Sequence, residues 1–205
     1  MGKYRFLVNS PGAIAEFCKD YQIPDGVHLS LAELATVPWG KQGFVPFNVI
    51  SIVECGLRFP VQPLLCEFLR QTNLCPTQLS TNSYRIINGI VELNHRAGLN
   101  LGLAELFHQY SIGSAEDGWV YYLRIRRRRE KIIKDTLDKD VNEDDFFWVF
   151  GNFVDQQAQL PGDRINWNKD IVGRFILAPL HVLYFGCQYL NRANSCLLFI
   201  LVPNS

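Results

Sequence analysis

The sequence predicts a mainly α-helical protein with a small antiparallel β element: a compact helical module followed by a β-hairpin that carries a charged insert. Three observations predict it. Apolar residues recur at helical spacing through the first half of the chain. Two aromatic, β-branched runs follow residue 118, and a dense block of charge separates them.

Taken in order, Ile14, Phe17, Cys18 and Tyr21 fall at i, i+3, i+4 and i+7 and predict a helix over 12–22. Pro24, Asp25 and Gly26 break it. An extended, turn-rich stretch holding Pro38, Trp39, Gly40 and Gly43 then runs to Pro46. Phe47 to Cys55 reads as a short buried helix, with Gly56 as the left-handed residue that closes it. Pro60 and Pro63 punctuate the entry to a helix whose stripe is Leu64, Leu65, Phe68 and Leu69. Thr81 or Asn82 is expected to cap the next helix, which runs to about Glu92 and buries Ile86, Ile87, Ile90, Val91 and Leu93; Gly98 stands where such a helix stops. Leu103, Leu106, Phe107 and Tyr110 mark a further helix, closed by Gly113. Trp119–Ile125 and Phe146–Phe150 are expected to pair with each other as the hairpin, the charged residues between them forming its long excursion.

Composition bounds the function. A chain of 205 residues that is 48% hydrophobic and 13% aromatic can build a domain core. Its 20 basic and 20 acidic side chains cancel, so electrostatic recognition has to come from local clustering. Cys18, Cys55, Cys66, Cys75, Cys187 and Cys196 form no C-x-x-C pair, and the four histidines lack zinc-ligand spacing. Reduced structural thiols are expected, in an intracellular protein of the nucleus or cytoplasm. Lys3 and Arg5 without an apolar core predict no secretory leader. The apolar stretches Phe175–Leu190 and Cys196–Val202 both fall short of the roughly 20 residues a spanning helix needs, so no membrane span is expected.

The candidate site is a basic run: Arg124, Arg126, Arg127, Arg128, Arg129, Lys131 and Lys134. Cations at this density can neutralise phosphates and release counterions, the footprint of nucleic-acid contact. Asp135, Asp138, Asp140, Glu143, Asp144 and Asp145 follow at once. The same residues therefore also read as a solvated loop or helix with i, i+4 pairs such as Lys131 with Asp135, or as a nuclear-import signal. Glu143, Asp144 and Asp145 are adjacent acids rather than carboxylates converging from separate elements, so a metal site is not expected. Phosphate-binding, dinucleotide, nucleophile-elbow and zinc-protease motifs are all absent. His95 reads as a partner for a helix C-terminus, and His108 lacks a placed nucleophile. The expectation is a non-enzyme with no cofactor and no small-molecule substrate.

Four pieces stand in one order: Tyr21–Leu29 (YQIPDGVHL), Gly56–Pro63 (GLRFPVQP), Leu74–Arg85 (LCPTQLSTNSYR), and Gly118-Trp119 leading to Phe146–Val149 (FFWV). In this order they resemble the Gypsy-type transposon domain of plants, over roughly Phe17 to Asn152. Tyr84 stands where that family usually has tryptophan. The resemblance implies a lead over 1–11, the domain over 12–152 and an apolar extension over 153–205. It also implies a non-catalytic structural or binding protein of a plant retroelement, Gag-like, that self-associates or contacts nucleic acid through the basic run. The rival readings are a metal-dependent nuclease or strand-transferase of a transposon, testable at Asp144 and Asp145, and a decayed fragment without activity.

Overall fold

The computed structural model describes residues 3–32, 43–115, 119–129, 131–133, 136 and 145–154. The order is α1 (Pro11–Asp20), β1 (Val27–Leu31), β2 (Val45–Asn48), α2 (Val49–Val53), α3 (Pro63–Thr72), α4 (Thr81–Ala97), α5 (Leu103–Gln109), β3 (Tyr110–Ser114), β4 (Tyr121–Ile125) and β5 (Phe146–Gly151). Short 3-10 turns at Arg5–Val8 and Pro76–Gln78 precede α1 and α4.

The helices follow local chemistry. Ser10 caps α1 by accepting from the Ala13 amide at 3.1 Å, and Pro11 occupies the first turn, where its missing N–H costs nothing. Pro63 opens α3 in the same way, and Asn73 closes it in the left-handed conformation. The cap of α4 is Ser80, one residue before the expected Thr81 or Asn82; its hydroxyl accepts from the Ser83 amide. That helix runs past Glu92 to Ala97 and stops, as the sequence indicates, at a left-handed Gly98. Of the run from Phe47 to Cys55, only Val49–Val53 is helical; Phe47 and Asn48 belong to a strand.

The strands overturn the expected architecture. The fold is mixed α+β, with two antiparallel sheets interleaved among the helices rather than one hairpin appended to a helical module. Tyr121–Ile125 and Phe146–Gly151 do not pair with each other. β4 pairs with β3, Leu123 opposite Ile112, while β5 lies between β1 and β2 in the order β1-β5-β2. The reason lies in the faces. β4 alternates, with Tyr121 and Leu123 buried and Arg124 exposed, and so needs a partner of the same one-sided kind. β5 is buried at Phe146, Phe147, Trp148 and Val149 alike, which demands a central place with cover on both faces.

On one face of that sheet Phe147, Val149, Phe47, Val45 and Val27 join the main core with α1, α3 and α4. On the other, Phe146 and Trp148 pack edge-to-face with Ala32 and Phe44 nearby. The core also takes in Tyr4, Val8 and Phe153. Glu54 gathers the periphery, receiving Lys3 at 2.9 Å, the Tyr4 hydroxyl, and Arg85 at 3.1 Å. Arg58 donates to the carbonyls of Ile52 and Leu57. Cys18, Cys55, Cys66 and Cys75 carry free thiols, and burial pushes that of Cys75 up to about 11. Among the described residues no helix is long and apolar enough to cross a membrane.

Candidate nucleic-acid interface

The basic run begins inside β4 and leaves it through a tight turn. Leu123 and Ile125 point into the core, so the intervening Arg124 points out and is exposed. β4 is held on its far edge: the Ser80 amide donates to the Tyr121 carbonyl, and the Leu123 amide donates to the Ser83 hydroxyl at 2.7 Å. The strand that launches the run is thus tied to the N-terminus of α4.

Arg126 has a different task from its neighbours. Its Nε donates to the carbonyls of Phe107, at 2.9 Å, and Tyr110, at 3.2 Å, and its amide donates to the Gln109 carbonyl. These acceptors lie at the C-terminal end of α5, where helix carbonyls lack partners of their own. Arg126 is therefore a clamp. The Arg129 amide then donates to the Arg126 carbonyl at 3.1 Å, closing a turn over Arg127 and Arg128. Arg128 sits at φ +66°, the left-handed conformation that a turn of this kind usually gives to glycine or asparagine.

The outgoing side of the loop is also anchored. The Ile132 amide donates to the Tyr110 hydroxyl at 3.1 Å. Ile133 occupies a notch over α4 at Gly89, where a Cβ would stand 2.7 Å from Ile133 Cδ1. Arg127, Arg128, Arg129 and Lys131 thus project, exposed, from a loop fixed at both ends. No carboxylate among the described residues pairs with Arg124, Arg127, Arg128, Arg129 or Lys131. Lys131 reaches the Thr136 hydroxyl at 3.1 Å.

His108, on α5, registers the local field. Burial comes first in holding its pKa below the ordinary histidine value; the cations of Arg129 and Arg126 add to this, against a smaller opposing pull from Glu105. Its Nδ1 is buried without a hydrogen-bond partner.

Of the seven residues expected to form the site, Arg124, Arg127, Arg128, Arg129 and Lys131 are exposed, and Arg126 is held by the scaffold. Lys134, like the acids Asp135, Asp138, Asp140, Glu143 and Asp144, lies outside the described residues. Asp145 is described: it is buried at the start of β5, its Oδ2 unpartnered, and its carbonyl accepts from the Val49 amide. The residues that sequence reasoning did not connect with the site are Tyr110, Ile132, Ile133 and Gly89. Their signal was a helical glycine and two isoleucines in a charged stretch, which only the tertiary fold joins. No protein-family model, curated protein or solved structure matches the chain.

Proposed function

We propose that this protein is a non-catalytic nucleic-acid-contacting module that offers a basic loop, anchored at both ends, to phosphates. The observation that carries the reading is the loop itself: four exposed cations between two anchors, the Arg126 guanidinium on the end of α5 and the Ile132 amide on the Tyr110 hydroxyl. Fixing the backbone beforehand lowers the ordering cost that a mobile basic tail would meet on binding. Arg128 adds support. An arginine held at positive φ is disfavoured there by roughly 1–2 kcal/mol, so its side chain is a costly choice for a turn alone.

In origin, the protein is proposed to belong to a plant retroelement of the Gypsy type, self-associating or docking on nucleic acid in a Gag-like role. This step rests on the four ordered sequence motifs. Gly56 at positive φ, Arg58 on two carbonyls, and Tyr84, whose buried hydroxyl donates to the Pro76 carbonyl, give those motifs structural roles in the fold.

The test is binding of the full chain to labelled DNA and RNA across a salt series, beside a variant with Arg127→Ala, Arg128→Ala and Arg129→Ala. Arg126 is left intact because it holds the scaffold. Binding that weakens steeply with salt is the expected result, with a slope flattened in the variant by roughly 0.7–0.9 for each phosphate that is no longer neutralised. Absence of binding by the folded wild-type chain at low salt would overturn the reading.

A further inference from the structure

The β3–β4 ribbon has an outer face as well as a buried one. Tyr110, Ile112, Tyr121, Leu123 and Ile125 turn into the core, which leaves Ser111, Gly113, Tyr122 and Arg124 on the other side. There Tyr122 stands directly opposite Gly113. Its ring is drawn down over the glycine: a Cβ on Gly113 would lie 2.7 Å from Cε2 and 2.8 Å from Cζ. The backbone of β3 therefore supports one side of a partly buried aromatic ring. Two residues along the same strand and face comes Arg124, opposite Ser111, whose hydroxyl donates to the Arg124 carbonyl at 3.2 Å. Beyond Arg124 the strand runs into the basic turn.

A supported ring followed by one cation on the same strand and three more in the turn beyond it has a specific chemical complement. A duplex presents phosphates to such a surface but keeps its base faces stacked inside the helix. A single strand presents both: a base to lie on the ring and a backbone to follow the guanidinium groups. We infer that the outer face of the β3–β4 ribbon is a binding site for single-stranded nucleic acid, with Tyr122 stacking a base and Arg124, Arg127, Arg128 and Arg129 tracking the phosphates. The inference rests on the reading of the basic loop given above and adds the strand state of the ligand.

The experiment uses the full chain with a labelled oligo-dT, an oligo-U and a hairpin duplex carrying the same number of phosphates. Tyr122→Ala and Tyr122→Phe are compared with wild type, and far-UV circular dichroism verifies that both are folded. The expected result is preference for the single strands over the duplex. Tyr122→Ala should lose about tenfold in single-strand affinity, the scale of one base stack, with the salt slope unchanged. Tyr122→Phe should bind like wild type, because stacking does not need the hydroxyl. The dT and U arms separate a DNA partner from an RNA one; a preference for either satisfies the inference. Equal affinity for duplex and single strand, or wild-type affinity in Tyr122→Ala, would overturn it while leaving the basic loop as a phosphate contact. No binding to any of the three at low salt would overturn both.

Discussion

Arg128 is the residue at which the proposed site and the fold make competing demands. Glycine suits φ +66° better than arginine does, so Arg128→Gly should raise the unfolding free energy, by about 1 kcal/mol in denaturant titration, while weakening nucleic-acid binding. A variant that lost stability as well as affinity would show that the arginine serves the turn. His108 bears on pH. Its folded pKa lies below the ordinary 6.5, so as pH falls through that value the unfolded chain takes up a proton before the folded one does. The stability contributed by the neutral imidazole is therefore complete above about pH 6.5 and is lost as pH falls towards the folded pKa. Unfolding midpoints measured between pH 7.5 and 5 should drop, and His108→Gln should flatten that part of the curve.

At the scale of elements, the loop depends on α4. Gly89 weakens a helix that would prefer alanine by roughly 1 kcal/mol, and what it provides in return is the notch for Ile133. Gly89→Ala should keep α4 helical and the core folded but displace Ile133. Hydrogen exchange at the Ile132 amide should then speed up, with affinity for nucleic acid reduced; unchanged exchange would mean that the Tyr110 hydroxyl alone holds the loop. The helices were largely legible in the sequence because their apolar spacing and caps are local: Phe17 in α1, Leu64 to Leu69 in α3, and Gly98 after α4 all stand where the pattern puts them. The sheets were not. Val27–Leu31 alternates over five residues inside a turn-rich stretch, and Tyr110–Ser114 follows α5 with no break, so Gly113 reads as a helix stop instead of the floor beneath Tyr122. Pairing between strands is a property of burial on both faces, which a run such as Phe146–Phe150 signals only when its lack of alternation is taken as evidence for a central position.

For the whole molecule, the cancellation of charge hides a division of labour. The chain is neutral overall, yet its described surface gathers five exposed cations along one strand and the turn that follows it. The clustering was legible as a run of letters. Its division was not, because Arg126 differs from Arg127 only through the carbonyls that the end of α5 leaves open to it. The strand order also fixes when the three-stranded sheet can close. β1 and β2 are made early in synthesis but have no direct pairing with each other; each pairs with β5, and Val27 meets Gly151 across most of the domain. Gly151 is suited to that closing position: it sits at φ +92°, and a Cβ there would run into the Gly26 carbonyl. Until residues 146–151 leave the ribosome, the two early strands expose their edges, and such edges recruit other chains. Translation therefore delivers the basic loop before the strand that completes the sheet, and under the proposed function a nascent chain would offer its cations to nucleic acid while its fold is still open.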